Sequence, residues 1–200
     1  MRDMQRKTTL PLWRRFIRNR EGVALVEFAM ALPVMLVAYI GMVEVAQLVM
    51  VNRKVAQLTF ALSDLTARAQ SLAPADVESI FDAGQSILMP YAPGNASMII
   101  SNVVIDGSGV ARVCWSNQRN GTALARGSTV TVPDSVRIAN SSIIMSRANY
   151  RYTPAIGYVL TGVLTLGGTP IYARPRNGLA GGTLNIEQVV RTGTSPCPTF

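Results

Sequence analysis

The chain has 200 residues, of which 48% are hydrophobic, so it is long and apolar enough for one folded domain together with a membrane anchor. Its formal net charge is +8, but residues 1–22 hold seven Lys or Arg against two acidic residues, which leaves +3 for the rest and argues against a nucleic-acid-binding surface. The sequence contains no histidine, the usual general base and the commonest metal ligand. An enzyme, a metal site and a bound cofactor are therefore not predicted.

Residues 23–43 form an apolar run whose only charged side chain is Glu27. About 20 apolar residues are needed to cross the hydrocarbon core of a bilayer, so this run predicts one transmembrane helix. A secretory signal would have a shorter apolar region followed by a small-residue cleavage site, and neither is present here. Because the basic residues precede the run, the positive-inside rule predicts that residues 1–22 are a cytoplasmic leader and that the rest of the chain lies outside.

The apolar pattern continues at helical spacing beyond the predicted span. Neither Gly nor Pro interrupts residues 42–73, so we expect a single helix of about 45 residues that ends near Ala69. A transmembrane helix with an amphipathic extension is thus predicted within residues 23–72. Pro33 lies inside this helix and removes the hydrogen bond to the Ala29 carbonyl, which predicts a kink.

The amphipathic extension carries apolar residues that we predict to form a docking face. Packing beneath the protein's own outer domain is an equal alternative for the same residues. The predicted face consists of Leu48, Val55, Leu58, Phe60, Leu62 and Leu65.

Glu27 is the feature of the span that requires an explanation, because a carboxylate in a bilayer costs a few kcal/mol and needs a partner. One candidate partner is Arg20, two helical turns earlier, which would place Glu27 at the level of the lipid headgroups. The alternative is a processing signal. Residues 22–28, GVALVEF, have the form G-x-x-x-x-E-F, in which Gly22 admits the close approach of a peptidase and Phe28 follows the glutamate.

This motif resembles the type IV prepilin cleavage signal in the glutamate-aromatic variant of Flp-type pili. The wider run "RFIRNREGVALVEFAMALPVML", with Pro33 as the eleventh residue after the cut, is similar to the start of TadE-like proteins, which are pseudopilins of the tight-adherence (Flp, type IVc) pilus system. Cleavage between Gly22 and Val23 would create an α-amino group at the start of the helix. The Glu27 carboxylate of one subunit could then pair with this ammonium group on a neighbouring subunit.

The resemblance implies a location and a set of partners. The chain would be inserted in the bacterial inner membrane, with its C-terminal domain in the periplasm, and could enter an extracellular pilus. Its partners would be the prepilin peptidase, other pilin or pseudopilin subunits and the pilus assembly platform. The implied function is that of a minor pilin-like subunit in pilus assembly and surface adherence.

Residues 73–200 are predicted to form a periplasmic α+β head. Pro74 starts a second helix that extends to about Met89, with a packing face made of Ile80, Phe81, Ile87 and Leu88. Further on, β-branched residues and turn signals predict an antiparallel sheet of four or five strands. The predicted strands are "SMIISNVVI", "VARVCWS", "STVTV", "SSIIMSRANYRY" and "TPIYARP", whereas "AIGYVLTGVLTLGG" is either a strand or a packed loop.

The chain has two cysteines, Cys114 in a predicted strand and Cys197 in the C-terminal tail. Under the predicted topology both lie on the oxidising side of the membrane, so a disulfide between them is favoured. The alternative is two unpaired thiols, with Cys114 as a small buried core residue.

Two other functions compete with the pilin interpretation. The first is an uncleaved single-pass inner-membrane protein whose periplasmic domain binds or scaffolds envelope components. The second is a tethered enzyme that uses carboxylates such as Asp106 and Asp134, although Lys54, the only lysine after the leader, is expected at the membrane surface and not beside a nucleophile. Arg174 and Arg176 either pair with a partner subunit or end a solvated strand.

Overall fold

The computed structural model describes residues 21–157 and 159–198. One helix, α1, extends over Glu21–Arg68 and confirms the single long helix predicted from the sequence. Pro33 lies inside α1 without ending it, and the predicted kink there stays a prediction. Most of the predicted leader, residues 1–20, lies outside the described residues.

The two halves of α1 differ in their surroundings. In the first half the residues are exposed from 22 to 39, whereas the second half packs against the head. Val51, Val55, Leu58 and Leu62 are each at most 1% exposed. Their separations of four, three and four residues keep them on one side of a helix, so this stripe becomes the face that closes the head's core.

The second helix, α2, extends over Pro74–Ile87 and lies against α1. Pro74 occupies the first helical turn, where its missing N–H costs nothing, and the Asp76 carboxylate accepts a hydrogen bond from the Ala73 N–H at 2.8 Å. A Cβ placed on Gly84 would lie only 3.0 Å from Leu62 Cδ2, so glycine permits the close approach of the two helices. Ile80, Phe81 and Leu88 are buried as predicted, and Ile87 is half-buried.

The main sheet has five antiparallel strands, in agreement with the predicted α+β fold. The strands are β2 (Ala96–Ile105), β3 (Ala111–Arg119), β4 (Ser141–Tyr152), β5 (Leu164–Gly167) and β6 (Ile171–Ala173). β2 lies between β3 and β4, while β5 and β6 pair with different parts of β4.

Two small pairings complete the head, and neither was predicted. β1 (Ser71–Leu72) pairs in parallel with β9 (Val190–Arg191), and β7 (Leu179–Gly181) pairs with β8 (Ile186–Gln188). The first pairing attaches the C-terminal part of the chain to the segment that joins α1 and α2.

The strand predicted for "STVTV", residues 128–132, is wrong. Thr129 makes only an isolated bridge with Arg112, although Ser128 and Val130 exchange backbone hydrogen bonds with β3. Pro133 follows directly, has no N–H to continue the ladder, and its carbonyl accepts the bonds of a turn. The ambiguous stretch of residues 155–168 is part loop and part strand, since only its end forms β5.

The sheet has a defined orientation relative to α1. The Tyr152 hydroxyl at the end of β4 lies 3.4 Å from Gln47 Oε1, near the middle of α1, whereas Arg176, after β6, pairs with Asp64 close to its end. The Tyr152 end of the sheet is therefore the end nearest the apolar half of α1. The turn between β2 and β3 lies at the opposite end.

Candidate processing and assembly site

Gly22 lies at the start of α1 with its surroundings open. A Cβ built on this residue would meet nothing within 4 Å, and the backbone there is not in the left-handed region. The fold of the described residues therefore gives no reason for a glycine at this position.

Glu27 and Phe28 are exposed on the first turns of α1. Side chains on a helix lean toward its N-terminus, and residues four apart lie on one face, so Glu27 points back toward Val23. The arrangement places a carboxylate one turn from the residue that would become the N-terminus after cleavage. The alternative partner, Arg20, lies outside the described residues.

The apolar run of α1 is long enough to cross a membrane, and from residue 22 to residue 39 it is left exposed by the other described residues. The most apolar window of 18 residues has 0% of its residues buried. Large side chains such as Leu25 (72% exposed) and Met30 (74% exposed) project into open space. Apolar surface of this extent is stable only against lipid or against other apolar helices.

The residues of the predicted docking face differ in burial. Val55, Leu58 and Leu62 are buried in the head, so for them the alternative of packing beneath the protein's own domain is what the structure shows. Phe60 is 63% exposed and Leu65 is 38% exposed. The set of six was wrong as one face: successive helical residues differ by about 100°, which puts Phe60 on the side opposite Leu58 and Leu62. The sixth residue, Leu48, is half-buried.

Asp64 joins the end of α1 to the segment after β6. Its carboxylate pairs with Arg68 at 2.6 Å and with Arg176 at 2.8 Å, and the Arg176 N–H donates to the Ala67 carbonyl. Arg176 is therefore engaged within the chain, whereas Arg174 is exposed.

Cys114 and Cys197 form a disulfide with their Cα atoms 5.8 Å apart. The bond joins β3 to the C-terminal tail, and Gln188 supports it from β8. The Gln188 side chain is fully buried and hydrogen-bonds both the N–H and the carbonyl of Cys197. Nothing in the sequence indicates this role of Gln188, because a single glutamine near the C-terminus carries no signal of burial.

Glu44 is a second residue that the sequence analysis did not single out. It follows the apolar run of α1 directly, yet it is only 1% exposed. Its Oε2 accepts hydrogen bonds from the N–H groups of Val159 at 3.0 Å and Leu160 at 2.8 Å. The signal available in the sequence was an acid at the boundary of a predicted span, where a charged side chain needs a partner.

The carboxylates proposed for the enzyme alternative have structural partners. Asp106 accepts hydrogen bonds from the Ser108 hydroxyl, the Val110 N–H and the Ser108 N–H, and the first two chiefly hold its pKa below its ordinary value. Asp134 pairs with Arg137 three residues later. The Lys54 Nζ donates to the carbonyls of Ile87 and Met89, and its expected position at the membrane surface stays a prediction. Within residues 21–157 and 159–198, no three His, Cys, Asp or Glu side chains are grouped to hold a metal ion.

Comparison with known protein families gives a match within α1. A family model described as TadE-like protein matches residues 22–61, a segment that lies wholly within α1 and begins at Gly22. No curated protein and no solved structure shows a significant match to the chain. The family match points to the Tad pilus system. The resemblance to TadE-like proteins predicted from the sequence is therefore confirmed over residues 22–61.

Proposed function

We propose that the chain is a minor pilin-like subunit, a pseudopilin, for the assembly of Flp (Tad, type IVc) pili that support surface adherence. The apolar half of α1 holds the subunit in the bacterial inner membrane with the head in the periplasm. A prepilin peptidase cuts between Gly22 and Val23. The processed subunit then leaves the bilayer through the assembly platform, and its helix packs against the helices of other subunits.

The observation that carries this proposal is the division of α1 into an uncovered apolar half and a half that is built into the head. A helix of 48 residues measures about 72 Å at 1.5 Å per residue, so the apolar half projects far from the head. Such a projection can exchange lipid for neighbouring helices without any rearrangement of the domain that it carries.

Gly22 supports the proposed cleavage site. Its lack of a side chain is not needed by the fold of the described residues, since a Cβ there would meet nothing within 4 Å. A requirement for glycine is then better explained by an external protein that must bring its own groups close to the backbone. The boundary between a basic leader and an apolar helix is where a membrane peptidase would act.

Glu27 has the corresponding role after cleavage. A carboxylate in an apolar environment is stabilised by an ammonium group nearby, and cleavage supplies such a group at Val23. Pairing between adjacent subunits sets the axial register of one helix against the next. Within the predicted docking face, Phe60 and Leu65 stay exposed beside the head and remain open to another subunit.

The proposal is tested by determining the N-terminus of the membrane-extracted protein and by counting pili on the producing cells. We expect an N-terminus at Val23 in the unaltered protein, loss of cleavage with Gly22→Leu, and loss of pili with Glu27→Gln. Glu187→Gln, a similar change on the exposed surface of the head, serves as the control and should alter neither result.

Two results contradict the proposal. An N-terminus upstream of Gly22 in piliated cells favours the uncleaved single-pass protein with a binding or scaffold domain. Normal processing together with normal pili in Glu27→Gln removes the assigned role of the carboxylate.

A further inference from the structure

The loop of residues 155–163 contains no acidic or basic residue and exposes apolar side chains. Ile156 is 55% exposed, Val159 is 47% exposed and Val163 is 62% exposed. Isolated exposed apolar residues are common on protein surfaces, but these three lie within eight residues of one uncharged loop, and together we name them the loop patch. This patch follows the Tyr152 end of β4, which is the end of the sheet nearest the apolar half of α1.

Two contacts fix the position of the loop along α1. Val159 packs beside Gly41, because a Cβ built on Gly41 would lie 3.3 Å from Val159 Cγ2. Glu44, one turn further along, accepts the N–H groups of Val159 and Leu160. Gly41 lies 19 residues after Gly22, or about 28 Å along the helix, which is close to the roughly 30 Å thickness of the hydrocarbon core.

We propose that this loop rests in the outer boundary of the bilayer, with Ile156, Val159 and Val163 against lipid and Glu44 as the residue that fastens the loop to α1. The inference rests on the proposed insertion of α1 in the membrane. The occupant of the patch is lipid because the loop is continuous with the uncovered apolar surface of α1 and lies at the height where that surface ends.

Glu44 makes this position possible. A backbone N–H that faces lipid without a hydrogen bond costs several kcal/mol, and a loop cannot satisfy its own groups as a helix does. The Glu44 carboxylate satisfies two such groups with one oxygen. The carboxylate in turn gains donors at a depth where water is scarce, so both partners are stabilised by the same contact. The loop thereby fixes the tilt and height of the head above the membrane.

The experiment measures the depth of single sites in the full-length chain reconstituted in phosphatidylethanolamine and phosphatidylglycerol vesicles. An environment-sensitive fluorophore is attached to a single new thiol, without reductant, since both native cysteines are paired. The sites are Val163→Cys in the loop, Val110→Cys at the opposite end of the sheet, and Leu36→Cys within the apolar run. Quenching by nitroxides placed at different depths on lipids is compared with quenching by aqueous iodide.

We expect the fluorophore at Val163→Cys to be quenched by shallow lipid nitroxides and protected from iodide, and the one at Val110→Cys to show the reverse. If the fluorophore at Leu36→Cys is quenched by lipid nitroxides while the one at Val163→Cys behaves like the one at Val110→Cys, the loop inference is overturned. The proposed membrane insertion of α1 is then still supported. If Leu36→Cys is itself quenched by iodide, the proposed membrane insertion fails as well. If the fluorophore at Val163→Cys loses its protection from iodide when the protein is diluted in lipid, a neighbouring subunit and not lipid covers the loop. That result would also overturn the inference.

Glu44 is tested in the Val163→Cys background. Glu44→Ala should release the loop, with loss of the nitroxide quenching, whereas Glu44→Gln keeps an acceptor oxygen and should retain it. The same Glu44 changes made in the Leu36→Cys chain should leave its signal unchanged, and an intact Cys114–Cys197 bond verifies that each variant is folded. Full quenching by lipid in Glu44→Ala would contradict the role assigned to Glu44.

Discussion

Gln188 holds the backbone of Cys197 by both ends of its side-chain amide. Its Nε2 donates to the Cys197 carbonyl at 2.7 Å, and its Oε1 accepts from the Cys197 N–H at 3.0 Å. Both residues are fully buried. The tail is therefore bound in two ways at one residue, by a disulfide to β3 and by a pair of hydrogen bonds to β8.

Replacement of Gln188 should destabilise the head. Gln188→Ala leaves the buried N–H and carbonyl of Cys197 without partners, and each unsatisfied group costs about 1–3 kcal/mol. We expect the free energy of unfolding to fall by about 2–4 kcal/mol. Urea denaturation of the full chain in micelles measures this quantity. The control is Gln70→Ala, since the Gln70 side chain is exposed, and a loss of similar size there would refute the explanation.

The disulfide should contribute a separate part of the stability. It closes a loop between residues 83 apart in sequence, and the chain-entropy account predicts about 4 kcal/mol for a loop of this length, less any cost in the native state. The double variant Cys114→Ser with Cys197→Ser should melt at a lower temperature than the unaltered chain. Reductant should lower the melting temperature of the unaltered chain only, and a melting temperature indifferent to reductant in both would contradict the prediction.

The parts of the fold that the sequence predicted are those with a local signal. The long helix follows from an uninterrupted apolar periodicity, and the β2–β3 hairpin follows from two β-branched runs around "DGSG". The β1–β9 pairing joins two strands of two residues each, Ser71–Leu72 and Val190–Arg191, which lie at opposite ends of the head in sequence. No pattern within either strand indicates its partner, so only tertiary packing decides the pairing.

The candidate site was predictable to a similar extent. Gly22 and Glu27 stand in a short motif beside an apolar run, and such a motif is visible without a structure. The prediction of one docking face was wrong because helical spacing shows which residues share a side of a helix but not what covers that side. Leu58 and Leu62 are covered by α2, and the contact depends on Gly84, which is more than twenty residues away in sequence.

Lys54 joins the two helices by binding the end of α2. Its Nζ donates to the carbonyls of Ile87 at 3.0 Å and Met89 at 2.7 Å, groups that the helix itself leaves without partners. Lys54→Met should keep the aliphatic packing and lower the free energy of unfolding by about 1–2 kcal/mol. The adjacent Arg53 is exposed, so Arg53→Met is the matched control. Equal effects of the two changes in urea denaturation would show that only the positive charge matters.

The stability that Asp106 contributes through the turn between β2 and β3 should depend on pH. The Ser108 hydroxyl and the Val110 N–H hold the pKa of Asp106 below its ordinary value of 3.8. Because the pKa is lower in the folded chain than in the unfolded one, the ionised carboxylate stabilises the fold above pH 3.8. This contribution is lost as the pH falls through the folded value.

The comparison of the unaltered chain with Asp106→Asn isolates this effect from the other carboxylates. The asparagine side chain does not titrate, so the difference between the two urea midpoints should be present at pH 6 and should shrink toward pH 3. The midpoints are measured in the same micelles at each pH. A difference that stays constant across this range would mean that the Asp106 carboxylate does not titrate as expected.

Substitution of Leu62 should lower the stability of the head, whereas substitution of Phe60 should impair the assembly of subunits. Leu62 is fully buried where α1 meets Gly84 of α2, so Leu62→Ala should cost about 2–5 kcal/mol of unfolding free energy. Phe60 is 63% exposed on the opposite side of α1, and Phe60→Ala should change this free energy by no more than about 0.5 kcal/mol.

If the exposed side of α1 contacts another subunit, Phe60→Ala should nevertheless reduce the number of pili, because removal of an aromatic side chain weakens such a contact. Leu62→Ala should reduce pili only in proportion to the loss of folded protein, as judged by immunoblotting of membranes. A stable Phe60→Ala protein with normal pili would exclude this side of the helix from assembly.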